Sequence, residues 1–163
     1  MARRKSAGGT PATVALERAG VAFTQHAYEH DPAATSYGLE AAAALGLAPA
    51  SVFKTLLADV DGRLAVAIVP VTGQLDLKAL AAALGGKRAT MADPVVAERA
   101  TGYVVGGISP IGQKKRLPTV VDATALDQPV IYVSGGKRGL DLGLDPHELV
   151  DLLDAQVAPV GRA

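Results

Sequence analysis

The fold class is decided by residues 52–69, which read VFKTLLADVDGRLAVAIV. Two runs rich in branched aliphatic residues flank Asp61-Gly62, and an Asp-Gly pair in that setting predicts a β-hairpin. Helices and strands are interspersed along the rest of the chain, and an antiparallel hairpin among them argues against a purely parallel sheet. The sequence therefore predicts an α/β (α+β mixed) fold, a single domain with a mixed, barrel-like β-sheet flanked by helices.

Capping chemistry predicts where the helices outside the hairpin begin. Thr10 is a typical N-cap, Pro11 suits the first helical position, and Gly20 is expected to end that helix. By the same signals, further helices are predicted to begin at Ser36, Asp76, Asp93 and Asp145. Strands are predicted at residues 23–30, 87–91, 119–121, 129–133 and 156–160, and the Tyr103-Val104-Val105 run is expected to start as a buried strand does.

The 163 residues fit one domain, with a disordered basic tail expected at 1–9 and the folded domain at 10–160. No apolar run is long enough for a transmembrane helix. The chain has no cysteine, which excludes disulfides and a cysteine nucleophile and favours a cytoplasmic location. Sixteen Lys and Arg balance sixteen Asp and Glu, so contact with a polynucleotide is expected to be weak, local or assisted by a partner.

A glycine-rich segment occupies residues 102–115 and reads GYVVGGISPIGQKK. Glycines in series let a backbone approach a ligand closely, and their N–H groups can bind an anion or a developing oxyanion. Lys114 and Lys115 add positive charge nearby. The segment matches neither a Walker A loop nor a dinucleotide fingerprint. A strand followed by an ordinary turn is the competing interpretation.

Lys54 interrupts the apolar run of the first hairpin strand. It either lies on a solvent face or projects three hydrogen-bond donors into a cleft, where it can hold a carbonyl, carboxylate or phosphate. A second strand ends in a basic glycine turn at residues 132–139, which read YVSGGKRG. Two strands that run into glycines, together with a lysine in a strand, suggest one shared cleft.

Other polar residues are open to several interpretations. His26 and His30 with Asp31 lack a third ligand at a metal-site spacing, so no metal is predicted. Tyr28 can offer its hydroxyl to a ligand. Ser109 and Ser134 are possible nucleophiles, but neither lies in G-x-S-x-G, and nothing specific supports a Ser-His-Asp triad. Asp141 orients Lys54 or a substrate amine, or it is a solvated loop carboxylate.

Several ordered motifs together resemble the YbaK/EbsC-type aminoacyl-tRNA deacylases, which are relatives of the editing domain inserted in prolyl-tRNA synthetase. The resemblance runs from about Thr10 to the end of the last helix. The motifs that carry it are His26-x-Tyr28-x-His30-Asp31, Tyr37-Gly38-x-Glu40-Ala41-Ala42, Val52-Phe53-Lys54-Thr55-Leu56, Gly102-Tyr103 with Gly106-Gly107-Ile108-Ser109-Pro110-x-Gly112-Gln113-Lys114-Lys115, and Tyr132-Val133-Ser134-Gly135-Gly136-Lys137-Arg138-Gly139.

The resemblance implies a trans-editing enzyme that removes cysteine mischarged onto tRNA(Pro), with no cofactor and with prolyl-tRNA synthetase as a partner. It implies that Lys54 positions the substrate, that the Gly106 and Gly107 N–H groups form the oxyanion hole, and that the substrate thiol is the nucleophile. Substrate-binding residues implied by it are Tyr28, His30, Ile108, Ser109, Ser134, Gly135 and Asp141. The residues expected to contact tRNA are Lys114, Lys115, Lys137 and Arg138.

Two alternatives remain open at the level of sequence. One is a deacylase for another small mischarged residue, such as alanine on tRNA. The other is a non-catalytic module that binds an oligonucleotide or a synthetase, for which Lys54→Ala would change affinity alone.

Overall fold

A computed structural model describes residues 9–163, so the expected basic tail at 1–9 lies outside the described residues except for Gly9. The helices are α1 Pro11–Ala19, α2 Tyr37–Leu45, α3 Leu77–Ala83, α4 Pro94–Thr101 and α5 Pro146–Leu153. The strands are β1 Thr24–Ala27, β2 Phe53–Val60, β3 Arg63–Pro70, β4 Gln74–Leu75, β5 Ala89–Met91, β6 Thr119–Asp122, β7 Ile131–Ser134, β8 Leu140–Leu144, β9 Gln156–Ala158 and β10 Gly161–Arg162. None of the helices within this range is long and apolar enough to cross a bilayer.

The strands form a mixed five-stranded sheet, an antiparallel three-stranded sheet and a two-stranded ribbon. The five-stranded sheet has the order β5-β2-β3-β6-β9, and the three-stranded sheet has the order β1-β8-β7. β2 pairs antiparallel with β3 and β5, whereas β6 pairs parallel with β3 and β9. A single parallel bridge from Val52 to Tyr132 joins the two larger sheets. The mixed sheet is confirmed, and the two sheets do not close into a barrel.

The predicted hairpin is confirmed as β2 and β3. Asp61 and Gly62 connect the strands with φ angles of 52° and 89°, which is the pair of positive angles that a two-residue type I′ turn requires. The Asp61 carboxylate also accepts hydrogen bonds from the N–H groups of Lys87 and Arg88, at 2.8 and 3.0 Å. The turn therefore fixes the start of the segment that leads into β5.

The helix starts are confirmed by their capping contacts. The Thr10 hydroxyl accepts from the Thr13 N–H and the Thr13 hydroxyl accepts from the Thr10 N–H, which is a reciprocal capping box. Gly20 ends α1 in the left-handed conformation. Asp76, Asp93 and Asp145 each accept a backbone N–H at the start of their helix. Ser36 precedes α2 as predicted, but its side chain makes no capping hydrogen bond.

The segment at residues 103–105 is not a strand, so that prediction is wrong. Gly102 ends α4 with φ 83°, and the chain then turns instead of extending. Tyr103 is buried and donates its hydroxyl to the Ile111 carbonyl at 2.7 Å, whereas Val104 is 52% exposed. The strand predicted at 23–30 is also shorter than expected, since only β1 pairs, with β8.

The two faces of the hairpin pack against different clusters. Phe53, Leu57 and Ile68 face a core that includes Leu16 of α1 and Leu149 of α5. Ala58, Ala67 and Val69 face the cluster around Leu80 of α3. Because strand residues two apart share a face, Lys54 lies on the second face, with Ala58.

Candidate active site

The cleft predicted from the two glycine segments and Lys54 is present as a cavity of about 350 Å³. Its walls are β2, the first turn of α2, the start of α4, the glycine loop after α4, and the adjoining strands β7 and β8. The lining residues are Tyr28, Ser36, Tyr37, Gly38, Val52, Phe53, Lys54, Thr55, Leu56, Leu57, Met91, Ala92, Pro94, Ala97, Val105, Gly106, Ile108, Ser134 and Asp141. A volume of this size suits a small ligand or the end of a larger one.

One wall is an open strand edge. β5 pairs with β2 only at residues 58–60, and the Leu57 carbonyl still accepts from the Ala92 N–H at 3.0 Å. Alternate residues of a strand hydrogen-bond to the same side, so the Thr55 N–H and carbonyl point past the end of β5. The Thr55 hydroxyl oxygen is buried and has no hydrogen-bond partner within the described residues. Thr55 thus brings unpaired polar groups to the cleft.

Lys54 carries a cation for which the described part of the chain provides no carboxylate partner. Burial alone lowers the pKa of its ammonium, with no charged neighbour contributing. A partly desolvated ammonium gains from any anion or polarised carbonyl that enters the cleft. The solvent-face interpretation of Lys54 is therefore replaced by a location in the cleft wall.

Asp141 is the second ionisable group of the cleft. It is 5% exposed, and burial raises its pKa to about 7. It lies on β8 opposite Ser134 of β7 and His26 of β1. Burial, followed by the charge of Asp141, raises the pKa of the Tyr28 hydroxyl. A carboxyl group with a pKa near 7 exists in both its ionised and neutral forms at neutral pH, so it can accept or donate a hydrogen bond.

The glycine loop contains a tight turn. The Gly107 N–H donates to the Val104 carbonyl at 2.8 Å, and Gly106 has φ 91°, which makes residues 104–107 a type II turn with Gly106 at its third position. The Gly107 N–H is thus occupied, whereas the Gly106 N–H has no acceptor among residues 9–163. Of the two glycines expected to bind an oxyanion, Gly106 is the one that lines the cleft.

The two glycine segments meet, as the sequence suggested. A Cβ added at Gly107 would lie 2.7 Å from the Lys137 Cα and 2.9 Å from the backbone nitrogen of Arg138, so only a glycine fits there. Arg138 continues the contact, because its Nε–H donates to the Val105 carbonyl at 2.9 Å. The loop at 104–107 is consequently packed directly on the turn between β7 and β8.

The predicted site residues divide into two groups. Those that line the cleft are Tyr28, Lys54, Gly106, Ile108, Ser134 and Asp141. Those that lie outside its lining are His30, Gly107, Ser109, Gly135, Lys114, Lys115, Lys137 and Arg138; the side chains of Lys114, Lys115, Lys137 and Arg138 are exposed.

Ser109 and His30 support the cleft without lining it. Ser109 is fully buried, and its hydroxyl oxygen accepts from the Ile111 N–H at 3.2 Å. The His30 Nδ1 lies 2.8 Å from the Glu40 carboxylate, and the His30 ring packs on Tyr37 with centroids 5.7 Å apart. In the described chain, no imidazole hydrogen-bonds to Ser109 or Ser134, and no three His, Cys, Asp or Glu side chains are grouped to hold a metal ion.

Sequence reasoning assigned no role to several lining residues. Thr55 and Tyr37 are two polar examples, and both belong to motifs that carried the resemblance. The sequence signal for Thr55 was its position next to Lys54. The signal for Tyr37 was its position at a predicted helix start. Gly38 also lines the cleft, and a Cβ there would lie 2.2 Å from the Val71 side chain, so the position requires glycine. Met91 and Pro94 come from β5 and α4, and their position depends on tertiary packing that no local pattern encodes.

The comparisons with known proteins agree with this geometry. A sequence profile of the aminoacyl-tRNA editing domain matches residues 30–152. EbsC of Enterococcus faecalis (strain ATCC 700802 / V583), which is named for an inferred Cys-tRNA(Pro)/Cys-tRNA(Cys) deacylase activity, is 35% identical over 164 residues that cover 98% of each chain.

Solved structures share the fold over nearly the whole chain. APE2540, described as a hypothetical protein, superposes with a TM-score of 0.84 at 27% identity and covers 94% of this chain and 100% of its own. A protein described as an inferred trans-editing enzyme for prolyl tRNA synthetase superposes with a TM-score of 0.80 at 28% identity, over 94% of this chain and 96% of its own.

Fold and cleft define a single mixed α/β domain with a small, largely apolar cavity at a strand edge, into which a few polar groups project. The chain belongs to the aminoacyl-tRNA editing domain family. The sequence resemblance to the YbaK/EbsC branch is thereby confirmed, and the class of enzyme is aminoacyl-tRNA deacylase.

Proposed function

We propose that this protein is a trans-editing deacylase that acts in the cytoplasm and removes cysteine mischarged onto tRNA(Pro). The observation that carries the proposal is that one small cleft is lined both by Lys54, whose cation has no carboxylate partner, and by Gly106, whose N–H has no acceptor among the described residues. A cation and a fixed amide donor in a partly desolvated site stabilise negative charge as it develops on an ester carbonyl. The name of EbsC supports cysteine as the amino acid.

Each cleft residue has a distinct task in this reaction. The Lys54 ammonium holds the aminoacyl ester and the terminal adenosine, and the Gly106 N–H receives the oxyanion. Gly107, whose own N–H is occupied, maintains the turn that presents Gly106. Asp141 accepts a hydrogen bond from the substrate α-amino group, while Tyr28 and Ser134 bound the aminoacyl pocket. Thr55 adds an unpaired hydroxyl on the same wall.

The nucleophile is assigned to the substrate. Its thiol loses a proton, and the sulfur attacks the ester carbonyl carbon to form a C–S bond. The C–O bond to the ribose then breaks, and the leaving ribose oxygen gains a proton, so the products are free tRNA and a cyclic thioester. The protein supplies orientation and charge stabilisation. The absence of cysteine from the sequence and the internal hydrogen bond of the buried Ser109 support this assignment.

Recognition of the tRNA body is proposed to depend on a partner. The exposed cations Lys114, Lys115, Lys137 and Arg138 can meet phosphates. The formal net charge of zero provides little long-range attraction. Prolyl-tRNA synthetase, which releases the mischarged product, is the proposed partner, and the description of one structural relative as an inferred trans-editing enzyme for that synthetase supports it.

A panel of Cys-, Ala-, Ser- and Pro-tRNA(Pro) at matched concentration tests the proposal. A thiol, with a reference pKa of about 8.5, is partly ionised near neutral pH and a serine hydroxyl is not. Cys-tRNA is therefore expected to react much faster than Ser- or Ala-tRNA, and mass spectrometry should trap a cyclic thioester. Faster release of alanine would support the alternative specificity, and binding without turnover would support a non-catalytic module.

Serine variants control for an enzyme nucleophile. Ser109→Ala and Ser134→Ala should each retain measurable deacylation, because neither hydroxyl forms an acyl-enzyme under this mechanism. A covalent acyl adduct on either serine would contradict the assignment to the substrate thiol.

A further inference from the structure

Hydrogen bonds hold the peptide unit between Val105 and Gly106 through its carbonyl, and the peptide unit before it through its N–H. Its carbonyl oxygen accepts from the Arg138 Nε–H at 2.9 Å. The preceding N–H, that of Val105, donates to the Glu98 carboxylate at 2.8 Å. The peptide unit whose carbonyl Arg138 contacts is the one whose N–H belongs to Gly106.

This peptide is the central unit of the type II turn, and such a unit has two orientations. A type II turn converts into a type I turn when its central peptide rotates by about half a revolution, and a glycine at the third position tolerates both. The described chain contains no cis peptide bond, so the N–H and the carbonyl of this unit point in opposite directions. A contact that fixes the carbonyl therefore selects the direction of the Gly106 N–H.

Arg138 is itself positioned for this contact. Its guanidinium lies over the Tyr37 ring, 5.2 Å from the centroid. A Cβ at Gly106 would lie 2.9 Å from both the Arg138 Nε and the Tyr37 ring. Tyr37 packs in turn on His30, which pairs with Glu40 of α2. The exposed guanidinium is thus packed, through Tyr37, against the first turns of α2.

We propose that Arg138 is a positioning residue of the deacylation reaction, which holds the Val105–Gly106 peptide with the Gly106 N–H turned into the cleft. This inference rests on the proposed function, in which that N–H receives the oxyanion. A cationic donor on the carbonyl also polarises the peptide and strengthens its N–H as a donor. The role differs from the phosphate contact that is proposed for the neighbouring Lys137.

The kinetic test compares Arg138→Met with Lys137→Met, since both variants remove one adjacent exposed cation. Loss of the oxyanion contact lowers kcat, and removal of an oxyanion donor typically costs a hundredfold or more. Because Arg138 acts through the peptide, its variant is expected to lower kcat by about tenfold or more and to leave KM within about twofold. Lys137→Met should instead raise KM. Arg138→Lys, which keeps a cation with less rigid geometry, should recover part of the lost kcat.

A measurement without substrate separates this inference from the proposed function. In wild-type protein, the hydrogen bond deshields the Val105 carbonyl carbon and the Gly106 amide nitrogen. In Arg138→Met, both NMR resonances should move, while signals of the β2–β3 hairpin stay in place. These shifts would persist even if the wild-type protein deacylated no tRNA.

Two results would overturn the inference. One is an unchanged Gly106 amide and Val105 carbonyl in Arg138→Met. The other is a rise in KM with unchanged kcat in Arg138→Met, matching Lys137→Met, which would make Arg138 a phosphate contact alone.

Discussion

The ammonium of Lys54 is partly buried in the cleft, and burial lowers its pKa. A folded-state pKa below the unfolded value means that the charged form is less stable in the folded protein. At neutral pH this lysine therefore destabilises the fold, and that penalty declines as pH rises above the folded-state pKa and is absent above the unfolded-state pKa. Lys54 thus opposes stability at the position where the proposed reaction needs a cation.

We expect Lys54→Met to lose activity while the melting temperature at pH 7 stays equal or rises. The lost transition-state contact corresponds to on the order of 3 kcal/mol, roughly a hundredfold in kcat/KM. Single-turnover deacylation and thermal unfolding monitored by circular dichroism measure the two effects. Lys78→Met, which changes an exposed lysine on α3, is the matched control. Near-normal turnover in Lys54→Met would discard the assignment.

Asp141 predicts a pH dependence of stability. Its folded-state pKa of about 7 lies above the ordinary value of 3.8, so ionisation is less favourable in the folded protein. The contribution of this group to stability is therefore greatest below about pH 4, decreases as pH rises toward 7, and is then constant. The total change is at most about 4 kcal/mol, from about 1.4 kcal/mol per pKa unit.

Asp141→Asn should remove that slope. Urea unfolding of both proteins between about pH 4 and 7 is expected to give a stability difference that grows with pH, with the variant the more stable at pH 7. Carboxylates with a lowered pKa, such as Asp122 and Asp61, contribute less to the stability of the protein as pH falls. Both proteins contain these carboxylates, so their contributions cancel in the difference. A difference that does not change with pH would contradict the raised pKa.

At the scale of elements, the turn at residues 104–107 depends on Gly106 for two reasons. Its φ of 91° is strained for any other residue, and a Cβ would meet Arg138 and Tyr37. Gly20 provides a matched control, because it has φ 71° with nothing within 4 Å of an added Cβ. Backbone strain alone costs about 1–2 kcal/mol at either position.

We therefore expect Gly106→Ala to lose most deacylation activity, and Gly20→Ala to lower stability while leaving kcat unchanged. Gly107→Ala should lower the melting temperature further, since its Cβ would meet the backbone of Lys137. Deacylation rates and melting temperatures of the three variants test this order. Equal activity in Gly106→Ala and Gly20→Ala would show that Gly106 has no role in the active site.

Elements defined by local chemistry could be predicted from sequence, and elements defined by packing could not. The hairpin turn and the helix starts follow from Asp-Gly, proline and capping side chains. β8 was missed because Asp141 and Gly143 interrupt its apolar pattern, although all five of its residues are buried. The Tyr103-Val104-Val105 run has strand composition, but the fold uses it to bring Tyr103 to Ile111 and to present the turn.

The site followed the same division. Lys54 and Gly106 were predicted because an isolated lysine and paired glycines are unusual in their context. Gly107 and Ser109 were expected in the cleft beside them, yet both are buried outside its lining, Gly107 against the backbone of Lys137 and Ser109 with its hydroxyl oxygen accepting from the Ile111 N–H. Nothing in the sequence indicated that Arg138, beside an exposed Lys137, contacts a carbonyl in another loop.

At the scale of the whole molecule, the balance of charges predicts weak tRNA binding by the isolated protein. Binding measured by fluorescence anisotropy at several salt concentrations should be weak, with little preference for tRNA(Pro). Each phosphate contact contributes about one unit to the slope of log K against log salt. Replacing both Lys114 and Lys115 with alanine should therefore reduce the slope by up to about two units. Tight, tRNA(Pro)-specific binding in physiological salt would contradict a partner-assisted mechanism.

The pairing of β1 with β8 has a consequence for how the protein is made. Tyr28 follows β1, which lies near the start of the sequence, yet within residues 9–163 that strand pairs only with β8, Leu140–Leu144. A ribosome adds roughly 5–20 residues per second, so β1 waits on the order of ten seconds for its neighbour. Nascent chains that stop before β8 lack Asp141 and one wall of the cleft. An enzyme of translational proofreading thus becomes competent only after the ribosome has translated β8.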